Sequence, residues 1–171
     1  MKNNSMQRQA GVTLIELIVT LFVVAIVTMV AIPAFRTFLQ NNRMIAVTND
    51  VVLAFNAARS EAVKRRQTVR VCAGDTASGC QAGAGFEEGW LVWIDGNGND
   101  QFDAGEELLV QNKIEGLTIE GFDAIRFDAS GVPDSSGTLS ICDSRGVDSA
   151  RGVSVLPTGR ITTSGVTPSC G

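Results

Sequence analysis

The sequence contains no histidine among its 171 residues, which removes the commonest general base and every histidine-based catalytic triad. It also contains no P-loop and no dinucleotide-binding glycine fingerprint. Gly152-Val153-Ser154 lacks the closing glycine of a nucleophile elbow. The adjacent carboxylates Glu87-Glu88 and Glu106-Glu107 would point to opposite faces of a strand. We therefore expect no enzymatic activity.

Basic residues are outnumbered by acidic ones, 14 against 18. Lys2 and Arg8 both precede Gly11, so the chain after Gly11 has 12 basic and 18 acidic residues and a net charge of −6. Such a chain is not a generic nucleic-acid binder, because its overall field repels phosphate. Any binding to nucleic acid would require a local basic patch.

Cysteine is scarce but even in number, with Cys72, Cys80, Cys142 and Cys170. This fits an oxidising compartment and permits two disulfides in any of three connectivities. We favour Cys72–Cys80 and Cys142–Cys170, because each pair brackets a loop rich in glycine and serine. A metal site is the less favoured alternative, since the chain has no histidine and no Cys-x-x-Cys pair.

A long apolar run extends from Gly11 to Pro33, GVTLIELIVTLFVVAIVTMVAIP. As a helix, Val12–Ile32 would extend about 32 Å, enough to cross the hydrocarbon core of a bilayer. The run lacks the small-x-small cleavage site of an ordinary secretory signal. It also contains Glu16, whose carboxylate would cost about 2.5–3.5 kcal/mol in hydrocarbon and tends to persist where it has a partner. The basic residues before the run predict a cytoplasmic N-terminus and an exported remainder.

The helical pattern continues beyond Pro33, where we expect a kink. Spacings of three, four and seven predict one buried stripe in a helix from Thr13 to Arg66. Its proposed members are Phe35, Phe38, Leu39, Ile45, Val52, Phe55, Ala58 and Ala62. The basic residues Lys64–Arg66 would interact favourably with the end of this helix, a ligand-binding role being the alternative.

From Gln67 onward the apolar period becomes two, which indicates strands separated by turn-forming residues. The expected strands are Thr68–Cys72, Trp90–Ile94, Glu106–Gln111, Leu117–Glu120, Ala124–Asp128, Thr138–Cys142 and Gly152–Leu156. The fold class is therefore α+β, with a long N-terminal helix packed against an antiparallel sheet.

The hexapeptide Gly11-Val12-Thr13-Leu14-Ile15-Glu16 resembles the type III signal of type IV prepilins, with valine where most members have phenylalanine. The resemblance implies cleavage by prepilin peptidase after Gly11 and N-methylation of Val12. It also implies that Glu16 pairs with the N-terminal amine of a neighbouring subunit, which would make a buried charge tolerable. A simpler alternative is that Glu16 reaches back to the near membrane interface.

The type IV pilin fold would divide the chain into a leader, residues 1–11, a transmembrane and polymerisation helix, 12–34, and a globular head, 35–171. Within the head, Asp95, Asn97, Asn99, Asp103 and Glu106 match positions 1, 3, 5, 9 and 12 of a calcium loop. Asp100 stands where that loop requires glycine, and similar loops occur in minor pilins. We therefore favour a hairpin loop with Asx hydrogen bonds, with calcium as the alternative and no other cofactor.

The C-terminal segment is similar to that of the GspH/FimT/FimU group of minor pilins and pseudopilins. FimT-like members contact DNA through a Gly-Arg-x-Arg motif, of which Gly159 and Arg160 are present while Thr162 replaces the second arginine. Arg145 and Arg151 are two further candidates for a DNA-binding patch, although solvated turn arginines are the simpler interpretation.

The resemblance implies a minor pilin in the tip or priming complex of a type IV pilus, which supports twitching motility, adhesion or DNA uptake. Its expected partners are other minor pilins, the major pilin, prepilin peptidase and the bacterial inner membrane. The expected topology is single-pass, with the head in the periplasm and later in the pilus fibre. The alternatives are a GspH-like pseudopilin of type II secretion and a FimT-like DNA receptor for transformation.

Overall fold

The computed structural model describes residues 11–163 and 165–170. The expected leader, with Lys2 and Arg8, falls largely outside the described residues. The chain divides into two compact units, of which one ends at Asn42 and the other begins at Arg43.

A long helix, α1, runs from Leu14 to Arg65, which confirms the predicted helix to within one residue at each end. At its C-terminus Arg66 adopts a φ of 55°, and Gln67 N donates to Ala62 O over 3.3 Å. This left-handed residue followed by a six-to-one hydrogen bond is the usual way to end a helix. Pro33 lies inside α1. The kink expected there stays a prediction.

The buried stripe of α1 begins later, and in a different phase, than the sequence suggested. Phe55, Ala58 and Ala62 are buried as predicted, and Val52 is partly buried. The prediction was wrong for Ile45, which is 40% exposed, because its neighbour Met44 faces the core instead. Phe35, Phe38 and Leu39 are also exposed. The remaining buried members are Val47, Thr48, Val51 and Ala54.

Nine strands follow α1 in the part of the chain that the structure describes. They are β1 Val69–Asp75, β2 Gly79–Cys80, β3 Gly89–Ile94, β4 Glu107–Asn112, β5 Thr118–Glu120, β6 Ala124–Phe127, β7 Gly137–Cys142, β8 Arg151–Val155 and β9 Ile161–Thr162. All seven predicted strands are present, and no end is shifted by more than three residues. The two-residue strands β2 and β9 were not predicted.

The strands form two antiparallel sheets rather than the single sheet expected from the sequence. In the first sheet, β1 pairs with β3 and with β6, β3 pairs with β4, and β2 forms a short hairpin with β1. The second sheet has the order β5-β7-β8-β9. Both sheets and the Met44–Ala62 portion of α1 contribute to one apolar core, which explains why the stripe starts at Met44.

Aromatic side chains fill the centre of this core, where the rings of Phe55 and Phe86 lie 6.0 Å apart and Phe86 and Trp90 lie 6.1 Å apart. A separate small cluster of Cys72, Leu91 and Trp93 is covered by Phe102. Side chains alternate between the two faces of a strand, so Trp90 and Trp93 serve different clusters.

Disulfide bonds join Cys72 to Cys80 and Cys142 to Cys170, which is the connectivity that the sequence analysis favoured. The second bond fixes the C-terminal segment to β7, where Ser169 N also donates to Ser140 Oγ over 2.9 Å. Val166 packs against Gly152. A side chain at position 152 would collide with Val166, because a Cβ there would lie 2.2 Å from Val166 Cγ1. The C-terminal segment is therefore held across the second sheet.

Candidate functional site

The start of α1 is defined by Thr13, which caps the helix. Glu16 N donates to Thr13 Oγ1 over 3.3 Å, and Leu17 N donates to Thr13 O over 3.2 Å. Gly11, Val12 and Thr13 precede the helix, so the expected cleavage site lies in non-helical backbone. Glu16 is the third helical residue, where a carboxylate interacts favourably with the unpaired N–H groups of the helix start.

The first part of α1 presents apolar side chains on all sides, and every residue from Gly11 to Arg43 is exposed. Among the described residues, α1 is long and apolar enough to cross a membrane, with a mean hydropathy of 2.8 over its most apolar stretch. Soluble proteins rarely expose so large an apolar surface. This surface therefore requires lipid or other protein chains around it, and Glu16 is the acidic residue within it.

The basic residues at the other end of α1 have local partners. Lys64 and Arg65 both donate to Glu61, over 3.1 and 2.6 Å. The hydrogen bonds from Arg65 and then Lys64 hold the pKa of Glu61 below its ordinary value. Together with the left-handed Arg66, these contacts support the interpretation of this cluster as a helix terminus.

The Asp95–Glu106 loop is organised by its own hydrogen bonds. Asp95 accepts from the backbone N–H groups of Gly98, Asn99 and Asp100 over 2.7–3.1 Å. Asp103 Oδ2 accepts from the side-chain amides of Asn97 and Asn99. The Asp95 contacts are Asx-type side chain to backbone bonds, as expected of a hairpin loop, and the Asp103 contacts tie side chains together across the loop.

The carboxylate of Glu106 accepts from Gly96 N and Asp103 N over 2.9 and 3.1 Å, which closes the same loop at its base. Asp100 adopts the positive φ of 60° that a glycine would take at this position. Within residues 11–163 and 165–170, no group of three or more histidine, cysteine, aspartate or glutamate side chains is arranged to hold a metal ion.

The loop is attached to the outer face of the first sheet by contacts that the sequence analysis missed. Arg70 forms an ion pair with Asp100, and its guanidinium carbon lies 5.4 Å from the centre of the Trp93 ring. Phe102 packs edge-on against Trp93 at 5.9 Å, while Trp93 Nε1 donates to Cys80 Sγ over 3.3 Å. Alternation along β1 and β3 indicated one face for Arg70 and Trp93, but it did not predict the loop that covers them.

The four candidate DNA-contacting residues lie towards the two ends of β8, with Arg145 in the connection that precedes Arg151, and with Gly159 and Arg160 beyond the far end. Arg145 is bound to Asp143 with Nε and Nη2 distances of 2.6–3.1 Å, and the Asp143 side chain is 5% exposed. Arg145 holds the pKa of Asp143 below its ordinary value. Arg151 begins β8, whereas Arg160 follows its far end, where Leu156 N donates to Arg160 O. About five residues of extended chain, roughly 16 Å, separate the two.

Arg160 instead lies in a turn held by a helix residue. Arg59 donates from Nε to Gly131 O over 3.1 Å and from Nη2 to Thr158 O over 3.3 Å. Gly159 is required by this packing, because a Cβ there would lie 2.2 Å from Gly131 O. The Arg160 side chain is exposed and lines a cleft with hydroxyl-bearing residues, Thr138, Ser154, Thr162 and Thr167.

Comparison with known proteins supports the interpretation of both parts of the chain. Residues 47–159 match the family described as type II transport protein GspH, and residues 6–32 match the prokaryotic N-terminal methylation motif. No sequence among the curated proteins matches the chain.

The fold is similar to that of the type IV minor pilin FimU from Pseudomonas aeruginosa strain PAO1, solved in space groups P21 and P65. Each alignment has 20% identity and a TM-score of 0.56. The alignments cover 74% and 70% of this chain and 91% and 90% of the FimU chain. The likeness shows the fold, a long N-terminal helix packed against antiparallel sheets. Because the GspH match spans more than half of the sequence, the chain belongs to the GspH family of minor pilins and pseudopilins, structural subunits that assemble with other pilins.

Proposed function

We propose that this protein is a minor pilin of a type IV pilus, incorporated in the tip or priming complex. In this proposal, prepilin peptidase cleaves after Gly11, Val12 becomes the methylated N-terminal residue, and α1 crosses the bacterial inner membrane once. The head lies in the periplasm and later forms part of the fibre. The main observation that supports this role is the exposed apolar surface of α1 with Glu16 near its start.

The physical basis of assembly is the transfer of this surface from lipid into a bundle of similar helices. Both surroundings are apolar, so the transfer of aliphatic side chains such as Leu21 and Ile26 changes the free energy little. The Glu16 carboxylate differs, because lipid offers it no partner whereas a neighbouring subunit offers a positively charged amine. Glu16 therefore favours the assembled state and sets the axial position of one helix against the next.

The proposal is tested by Glu16→Gln in cells that make the pilus. We expect normal removal of the leader, seen as mature mobility in gels, and at least a tenfold loss of the subunit from sheared fibres, equivalent to about 1.4 kcal/mol. Asp50→Asn is the matched control, because Asp50 is an exposed carboxylate elsewhere on α1. Normal incorporation of Glu16→Gln would contradict the pairing role, and retention of residues 1–11 in working fibres would contradict the whole proposal.

A second candidate is a minor pseudopilin of type II secretion, which is favoured by the GspH match over residues 47–159. The same helix and the same carboxylate would act in a different machine. Deletion of the gene separates the two candidates, since loss of twitching with normal secretion indicates a pilus. Loss of secretion with normal twitching indicates the pseudopilus.

A third candidate is DNA binding, for which the supporting observation is the exposed Arg160 in a turn fixed by Arg59. A single exposed arginine would add about one phosphate contact, so binding would be weak and salt-dependent. Arg160→Ala should abolish a DNA mobility shift if this candidate is right. Arg151→Ala, at the opposite end of β8, should leave the shift unchanged.

A further inference from the structure

The outer edge of β4, residues Glu107–Asn112, is an open sheet edge. β4 ends the first sheet, and among the described strands it pairs with β3 alone. Its six residues extend about 20 Å. Backbone N–H and C=O groups along such an edge can accept another strand. We propose that the β4 edge binds an extended segment of another protein chain, which adds a strand to the first sheet.

The other edges of the two sheets are blocked by the chain itself. Along β6, Asp134 N donates to Arg126 O over 2.9 Å and Arg126 N donates to Asp134 Oδ1 over 3.0 Å. Along β5, Ile119 N donates to Glu87 Oε2 over 2.9 Å. The remaining edge strands, β2 and β9, have two residues each. Among these edge strands, β4 is therefore the one that is both long and uncovered.

Protection against strand pairing is confined to the ends of β4, where Glu107 and a bulge begin the strand and Lys113 follows it. Natural edge strands carry lysine, proline or inward-facing charges that discourage a new partner. The stretch from Leu108 to Asn112 contains no charge and no proline, and Val110 is 40% exposed. The bulge in the ladder lies at the start of the strand, so Leu109–Asn112 keep regular pairing with β3.

The edge is also rigid, which reduces the entropy lost when a partner binds. Every residue of β3 is buried, and β4 pairs with it regularly from Leu109 to Asn112 and again at Glu107. Leu108 and Leu109 pack against the main core. A preformed strand therefore presents its hydrogen-bonding groups in position, and the partner alone must become ordered.

The charges at the start of β4 favour one orientation of the partner. Glu107 is exposed there with its carboxylate accepting from Gly105 N over 2.8 Å, and among the described residues no basic side chain forms an ion pair with it. At the other end, Lys113 is already paired with Glu88 over 2.7 Å. An antiparallel partner places its carboxyl end beside Glu107. The fitting segment is therefore uncharged, β-prone and basic at its carboxyl end.

The test uses the full chain in nonionic detergent and a synthetic peptide of alternating valine and threonine that ends in two lysines. We expect the peptide to bind and to slow hydrogen–deuterium exchange of the β4 amides. A peptide with the same side chains but N-methylated at alternate residues should bind at least about tenfold more weakly, because it cannot form the ladder. Moving the lysines to the amino end should also weaken binding.

The β4 edge of the protein is tested with Val110→Lys, which places a charge on the strand. Val110→Thr is the uncharged, β-branched control. The lysine variant should lose about tenfold or more in affinity, and the threonine variant should remain within about threefold of the parent. Both should keep the parent's melting temperature, which separates loss of binding from loss of fold. Equal binding of the N-methylated peptide, protection outside β4, or pairing of two copies of this chain through β4 would each overturn the proposal.

Discussion

Gly159 fits both a DNA-binding motif and a purely structural requirement for glycine. In the sequence it stands beside Arg160 as part of a nucleic-acid motif, but its neighbours provide a structural reason for glycine. Its φ is +75°, and a Cβ would lie 2.2 Å from Gly131 O and 2.9 Å from Arg59 Nε. A backbone oxygen cannot move aside as a flexible side chain can. Glycine is therefore required here whether or not Arg160 binds anything.

Gly159→Ala should destabilise the head by more than about 2 kcal/mol, since it adds a backbone collision to an unfavourable φ. Gly146→Ala is the control, because Gly146 has a φ of +83° with open space around it and should cost about 1 kcal/mol. Urea denaturation of the full chain measures both. Similar losses for the two variants would show that the Gly131 contact does not constrain the turn.

Asp95 is the residue on which the hairpin and calcium interpretations disagree. Its carboxylate accepts three backbone N–H groups, so Asp95→Ala should lower the free energy of unfolding by about 1–3 kcal/mol without any metal. The hairpin interpretation predicts the same loss in EDTA and in calcium chloride. Asp148→Ala, an exposed carboxylate in another turn, should change little. A calcium-dependent rise in melting temperature that Asp95→Ala removes would favour a calcium site instead.

At the scale of elements, α1 was the most predictable feature and the phase of its stripe the least. A long apolar run continued by an amphipathic pattern predicted the ends of the helix to within one residue. The apolar first half carries no phase information, because every direction around it is apolar. Counting forward from Phe35 therefore selected Ile45, whereas contact with the sheets selects Met44. Met44 and Ile45 are both apolar and adjacent, so the sequence pattern does not show which of them faces the core.

Sheet order and short strands were also beyond prediction. A two-residue strand such as β2 cannot show alternation, and its pairing depends on the Cys72–Cys80 loop. The division into two sheets depends on which strands share an edge, and no pattern within a strand encodes that. Spacing along the chain could not place the candidate arginines either, since Arg145 and Arg151 precede or begin β8 whereas Arg160 follows its far end.

The two disulfides should differ in their contribution to stability. Cys142–Cys170 closes a loop with a sequence separation of 28, and Cys72–Cys80 closes one of 8. In the chain-entropy model these correspond to about 3.6 and about 2.6 kcal/mol. Cys142→Ala with Cys170→Ala should therefore lower the free energy of unfolding more than Cys72→Ala with Cys80→Ala. Urea denaturation measures both pairs, and the reverse order would indicate that local packing outweighs loop length.

At the scale of the whole molecule, the absence of histidine determines how stability depends on pH. No side chain has an ordinary pKa between the carboxylates and the cysteines, and all four cysteines are in disulfides. The described groups with lowered pKa values are carboxylates, namely Glu61, Asp75, Asp128 and Asp143. We therefore expect nearly constant stability of the head between about pH 5.5 and 8.

Below that range, the sign follows from the lowered pKa values. A folded carboxylate with a lowered pKa binds its proton less readily than the unfolded chain does, so acid favours unfolding. For Asp143, whose ordinary pKa is 3.8, the stabilisation is complete above that value and is lost as the pH falls through the lower folded pKa. Urea midpoints of the full chain in detergent should therefore fall steadily below about pH 4.

Asp143→Asn separates this carboxylate from the others. The variant should be less stable at pH 7, because Arg145 loses its charged partner, and its stability should fall less between pH 4 and pH 2 than that of the parent. Asp148→Asn, an exposed carboxylate in the same connection, should keep the parent curve. If Asp143→Asn loses as much stability between pH 4 and pH 2 as the parent does, the ion pair with Arg145 does not contribute to folding. The acid sensitivity would then arise from Asp75, Asp128 and Glu61.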